Sequence, residues 1–143
     1  MYAPMLAEKA HADHLEMFLN GSLWAAEQKL DGHRVVAIMR DGKVILVNRR
    51  GEPFKQFFPD EIIAELSDSG VFAGGTWVFD GEYLNGTYYV FDLLDTPLEG
   101  MGMATPFEER RGALESIFRV WSPFHVSLVG QATTPSGKRD MLN

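Results

Sequence analysis

The chain has no cysteine, four histidines, and only 13 lysines and arginines against 20 acids across 143 residues. Without thiols there is no disulfide, no thiolate nucleophile and no cysteine-based zinc site. The histidines do not fill that gap. His11 and His14 stand at i,i+3 on an expected helix, but neither an HExxH pattern nor a third ligand follows them. A net charge of -7 repels a phosphate backbone and argues against strong autonomous nucleic-acid binding, which is mostly neutralisation by lysine and arginine. It leaves room for a small anion held by a few converging cations. No apolar run approaches the ~20 residues needed to span a bilayer. Met1-Tyr2-Ala3-Pro4 lacks the basic and apolar regions of a signal peptide. A cytoplasmic chain with no membrane partner is expected.

What is present is the composition of a folded domain: 45% hydrophobic and 12% aromatic residues, in a length suited to one domain or a piece of one. Residues 4–7 read as an extended lead-in, followed by a helix that Asn20-Gly21 closes. Strand-like runs follow at Trp24–Lys29, Arg34–Arg40 and Lys43–Asn48, with a hairpin at Asp41-Gly42, so an antiparallel meander is expected. Pro59-Asp60-Glu61 opens a helix with Ile62, Ile63 and Leu66 on its buried side. Gly75–Leu84 and Thr87–Leu94 form a second hairpin around Asn85-Gly86. After a connector over 95–105, Thr105 caps a helix with Pro106 at its first position, running to about Trp121. Val126–Val129 is a short strand, and Thr134-Pro135 starts a last helix. That helix reaches the last residue with no stop signal after it, which suggests a chain cut inside a larger fold.

The stretch Glu27-Gln28-Lys29-Leu30-Asp31-Gly32-His33-Arg34 carries more charge than a turn needs. Asp31-Gly32 supplies the positive-φ position for a sharp reversal. Alternation from Glu27 puts Glu27, Lys29 and Asp31 on one face, two carboxylates flanking an amine. Two arginines, Arg49 and Arg50, sit at a strand end, and Glu82 follows an Asp80-Gly81 pair that reads equally well as a bulge. A carboxylate there can accept hydrogen bonds from a ribose hydroxyl or bind a hydrated divalent ion. By periodicity alone, Phe91 is a core aromatic.

Lys29-Leu30-Asp31-Gly32-His33-Arg34 has the KxDGxR form and resembles the nucleotidyltransferase superfamily of ATP-dependent DNA ligases, RNA ligases and mRNA capping enzymes. Arg49–Gly51 with Pro53-Phe54, then Phe79-Asp80-Gly81-Glu82, then Tyr89–Leu94 are similar to that family's later elements, in family order. Glu108–Arg111 with Leu114 resembles the helix that follows in DNA ligases. The resemblance implies an α+β, ATP-grasp-like adenylation domain: antiparallel sheets, flanking helices and an open nucleotide cleft, spanning 1–143 and incomplete at its C-terminal side. It implies that Lys29 forms a lysyl-AMP and that Asp31 orients the amine. Arg34 and Arg49 would contact ribose, phosphates and later nicked DNA, and Glu27 the adenine amine. Glu82, with Asp80 second, would meet the ribose or Mg²⁺, and Phe91 would stack on adenine.

The family's later Glu-Gly carboxylate, its KxK strand and its OB-fold domain have no counterpart here, since Glu99-Gly100 precedes the Pro106 helix. Missing cations leave transition-state charge uncompensated, at ~10²-fold or more per donor. The chain alone is therefore expected to adenylate weakly or not at all. A DNA ligase acting in replication, repair or recombination is the leading expectation. An RNA ligase or capping-type enzyme, an inactive nucleotide-binding remnant, and pairing with a second polypeptide that supplies the remainder are the alternatives.

Overall fold

The computed structural model describes residues 20, 26, 27, 30–68, 70–98, 101, 104–132 and 135–142. The lead-in at 4–7, nearly all of the first expected helix, Lys29 and most of the strand around it, and Glu99-Gly100 lie outside them. The chain divides into two compact units, one of Met1–Met5 with Asp31–Leu128 and the other of Leu6–Leu30 with Val129–Asn143.

In the first unit β2 (His33–Arg40), β3 (Lys43–Val47), β4 (Thr76–Leu84), β5 (Thr87–Asp95) and β6 (Val126–Leu128) form one sheet, with α1 (Asp60–Asp68) and α2 (Phe107–Trp121). The strand order is β3-β2-β4-β5-β6. Both expected hairpins are present, and the reason is local. Asp41 and Gly42 take φ of 53° and 73°, Asn85 and Gly86 φ of 49° and 88°, the two left-handed positions of a type I′ turn. By contrast β6 pairs parallel with β5, Tyr88 opposite Val126, because α2 carries the chain back across the sheet between them.

The central strands are buried on both sides, so β2 reads as a continuous apolar run rather than an alternating one. Val35, Ala37 and Met39 face the helices, where Phe79, Tyr88 and Val90 join Ile62 and Leu66 of α1 and Leu114 and Ile117 of α2. Val36 and Ile38 point the other way, into a smaller cluster with Val47, Val78 and Leu94. At one end of the main core Phe72 meets Trp121 edge-on at 4.8 Å and Phe79 at 5.2 Å, which fixes the end of α2 against β4. Elsewhere α2 is tied to β5 by Arg110, whose Nε and Nη2 donate to the two oxygens of Asp92 at 2.8 and 3.0 Å.

Two expectations are corrected. The cap of α2 is Pro106 and not Thr105, and no side chain caps the helix. The amides of Glu109 and Arg110 reach the Pro106 carbonyl instead, and the Thr105 carbonyl accepts from Arg110. Among the described residues the three-strand meander is also not formed. β1 (Ala26–Glu27) pairs antiparallel with β7 (Gln131–Ala132), Glu27 opposite Gln131, in a separate two-stranded sheet. That sheet and α3 (Pro135–Leu142) form the second unit, where Arg139 donates to Asn20 at 2.8 Å and Lys138 is buried. Among the described residues no helix is long and apolar enough to cross a membrane.

Two glycines give opposite expectations. A Cβ on Gly81 would meet the Tyr88 ring carbon Cε1 at 2.8 Å and press on the Tyr89 carbonyl, whereas one on Gly112 in α2 meets nothing. Gly81→Ala is expected to cost about 1–3 kcal/mol or more, as overpacking does. Gly112→Ala should add about 0.5–1 kcal/mol, as glycine replacement does in a helix interior. Urea midpoints of the two variants measure both signs.

Candidate functional site

The register of β2 on β4 brings the two charged motifs together. Arg34 lies opposite Glu82 and His33 opposite Tyr83, so Gly32 comes beside the end of β4. There the Gly32 amide donates to Glu82 Oε2 at 3.1 Å. Gly32 does not take positive φ, which corrects the turn reading of Asp31-Gly32. It is glycine for another reason, close approach: a Cβ would fall against the Tyr83 carbonyl and lie 3.1 Å from the Leu84 Cβ. Gly81 serves the same purpose one strand over, beside register shifts in the β4–β5 pairing at Val78/Phe79 and Asp80/Gly81. The extra residues of these shifts, Leu94 and Phe91, lie on β5, whereas Asp80 and Gly81 keep regular register with β2, which corrects the reading of Asp80-Gly81 as a bulge.

Arg34 is held by one carboxylate through two bonds. Its Nε donates to Asp80 Oδ1 at 2.8 Å and its Nη2 to Oδ2 at 2.6 Å, the bidentate form that arginine favours. Asp80 is 2% exposed, so both its oxygens are spent on Arg34 and neither faces open space. The Arg34 guanidinium carbon also lies over the Phe91 ring, 4.8 Å from its centre. The hydrogen bond to Asp80 makes Arg34 harder to deprotonate than free arginine. Burial raises the Asp80 carboxyl above the usual aspartate value, against the pull of Arg34. Beneath the pair, the buried Tyr88 hydroxyl donates to the Val35 carbonyl at 2.7 Å, and burial lifts its titration well above the ordinary phenol value.

The arginine loop after β3 is built by its own backbone. Asn48 Oδ1 accepts from the amides of Arg50 and Glu52 at 2.9 and 3.0 Å, Gly51 turns with φ of 79°, and the Phe54 amide returns to the Leu46 carbonyl at 3.0 Å. This Asx turn leaves Arg49 and Arg50 exposed, with no carboxylate partner for either among the described residues.

The loop, the start of β2 and Glu82 enclose a depression of about 560 Å³. Among the described residues Arg34, Arg49, Arg50 and Lys55 face it with His33, against Glu52 and Glu82 as the acids. A cationic hollow on a chain of net charge -7 attracts an anion locally where the whole molecule would repel it. Among the described residues no three histidines or acids gather closely enough to hold a metal. Glu82 keeps Oε1 available, and one carboxylate together with ligand phosphates is the usual way Mg²⁺ is bound, so the donors fit an ion that arrives with a nucleotide.

Of the residues singled out from sequence, Arg34, Arg49 and Glu82 line the depression. Phe91 does not; its ring lies under the Arg34 guanidinium. Asp31 is described and exposed, Glu27 is described only as backbone of β1, and Lys29 lies outside the described residues. Sequence reasoning missed Lys55, His33 and the anchoring part of Asn48. Arg50 was legible as the second of the Arg-Arg pair, but no periodicity singles out Lys55.

The α+β sheet thus carries at its strand ends a cationic hollow beside the Glu82 carboxylate, an arrangement suited to an anion. The family model for the ATP dependent DNA ligase domain matches residues 4–87, well over half of the chain, and the chain belongs to that family. Among solved structures it is similar to "Pmar-Lig_Pre.", at 23% identity and a TM-score of 0.62 over 81% of this chain and 33% of that one. "Pmar-Lig_PreS3" gives 22% and 0.62 over 90% and 36%. A mycobacterial DNA ligase D complexed with ATP and MES gives 19% and 0.52 over 82% and 44%. The chain thus spans between a third and a little under half the length of these relatives, and the likeness is one of fold. No curated protein sequence matches it.

Asp80 offers a test by pH. Asp80→Asn is expected to cost about 1–3 kcal/mol at neutral pH, the worth of hydrogen bonds to a charged group. Because the folded protein binds a proton on Asp80 at higher pH than the unfolded chain does, this carboxyl adds stability on acidification and loses it as pH rises through its folded titration. The gap between wild type and Asp80→Asn should therefore widen as pH falls toward 4, measured by denaturant titration. A narrowing gap would mean that Arg34 depresses the carboxyl.

Proposed function

We propose that residues 1–143 are part of the adenylation domain of an ATP-dependent DNA ligase, a cytoplasmic enzyme that seals nicks in replication, repair or recombination. The observation that carries the reading is the cationic depression of Arg34, Arg49, Arg50 and Lys55 beside Glu82, formed by residues within the matched ligase segment. A triphosphate needs that cluster of donors, and Glu82 can take a ribose hydroxyl or an ion bridging the phosphates.

In this reading the neutral Lys29 amine attacks the α-phosphorus of ATP. A nitrogen–phosphorus bond forms, the bond to the β-phosphate oxygen breaks, pyrophosphate leaves, and the nitrogen gives up its proton. Asp31 orients the amine, Glu27 meets the adenine amine and Phe91 carries the base. AMP then passes to a DNA 5′-phosphate, and attack by the 3′-hydroxyl expels it. The amine must be neutral to react, so its pKa has to fall from about 10; burial or nearby positive charge would act in that direction. Mg²⁺, when bound, neutralises charge on the phosphates. Nicked DNA meets Arg49 and Arg50, and a second polypeptide that supplies further cations would raise the rate.

The test uses labelled ATP with Mg²⁺ and the chain as it stands. ATP is expected to bind, and a small fraction of label to become covalent, all of it lost in Lys29→Ala. Arg49→Ala with Arg50→Ala should weaken ATP binding about tenfold or more, as loss of two charge-assisted contacts does. Absence of ATP binding by calorimetry at millimolar nucleotide would overturn the proposal. Labelling by GTP in preference to ATP would move it to the capping enzymes.

A further inference from the structure

We propose that Arg34 closes the base platform of the empty protein, and that nucleotide binding requires its guanidinium to leave the Phe91 ring. The inference rests on the nucleotide reading, in which Phe91 carries the base. Three observations support it. Arg34 lines the depression whereas Phe91 does not, and the same arginine lies over the ring. Its guanidinium carbon lies 4.8 Å from the ring centre, in the space a base stacked on that face would fill. Its orientation is fixed from behind by Asp80 through two bonds of 2.8 and 2.6 Å, and Asp80 is buried and shows no other side-chain partner among the described residues.

Asp80 is then a positioning residue. It does not reach ribose or metal; it sets how firmly the guanidinium stays on the ring. The competition is between two flat groups for one aromatic face, a cation that keeps its hydrogen bonds and a base that brings its own stacking. A nucleotide with phosphates can compensate by offering Arg34 a new anion, and a nucleoside cannot. The device therefore favours phosphorylated ligands over the bare nucleoside by penalising the nucleoside.

The experiment compares adenosine and ATP binding, by calorimetry on the full chain. Arg34→Ala alone would leave the Asp80 carboxylate buried without its partner and could unfold the protein. The informative variant is Arg34→Ala with Asp80→Asn, which removes both charges, checked for folding by circular dichroism. Adenosine should bind it about 3- to 30-fold more tightly than wild type, the range set by the usual strength of a cation–ring contact. ATP should gain less or lose affinity, because its phosphates lose a cation. Adding Phe91→Leu to the double variant should remove the adenosine gain.

Adenosine affinity that is unchanged or lower in the folded double variant, with ATP still bound by wild type, sinks the gate and leaves the nucleotide reading standing. A gain that survives Phe91→Leu sinks it too, since the ring would not be the contested surface. If neither ligand binds any form, the nucleotide reading fails and the gate with it.

Discussion

The antiparallel pairing of β2 with β4 is the constraint on which the rest depends. It runs from His33 opposite Tyr83 to Arg40 opposite Thr76, and its register decides what the site contains. A slip by one residue would turn Arg34 toward the helices and expose Val35. The register is secured from both sides, by Val35, Ala37 and Met39 in the main core and by Val36 and Ile38 in the smaller one. Burial of both faces thus aims a single arginine. The two glycines act with it, since only Gly32 lets the chain lie against the Tyr83 carbonyl and only Gly81 makes room for Tyr88.

From that pairing the electrostatics follow. Asp80 is carried into the interior by its strand, where an unpaired carboxylate would be costly, and Arg34 satisfies it at the edge of the hollow. The arginine is thereby spent in one direction and displayed in the other. Arg49 and Arg50 are provided differently. Their loop satisfies its own amides through Asn48, and among the described residues neither guanidinium group meets a carboxylate. One cation is fixed by a partner and two are held out by a scaffold. Together they concentrate positive charge on a molecule whose total is negative.

Most of the sheet was legible because its signals are local. Asp41-Gly42 and Asn85-Gly86 state their turns in two residues, and Pro59-Asp60-Glu61 marks a helix start in three. What was not legible is what depends on distant residues. The partner of β1 is β7, more than a hundred positions along the chain, and nothing near Glu27 announces it. Asp31-Gly32 looks like the two hairpin turns yet serves close packing, and no local pattern separates those uses of glycine. The site shows the same division. Arg34, Arg49 and Glu82 were readable from motif spacing, whereas the contacts of Arg34 with the Phe91 ring and with Asp80, 46 residues away, were not.

The parallel edge of the sheet has a consequence for how the domain assembles. Each hairpin closes over two turn residues, so β2–β3 and β4–β5 can form with little loss of chain freedom. β6 has no such route. It reaches Tyr88 only after the connector and all of α2 have come back across the sheet, and the reward for that long closure comes last. Until then the outer side of β5 keeps its amides and carbonyls unpaired and Leu114 and Ile117 have nothing to cover, a sticky surface in a half-made molecule. The Arg110 clasp on Asp92 lies at the start of this return path, so it shortens the search that remains by anchoring the first turn of α2.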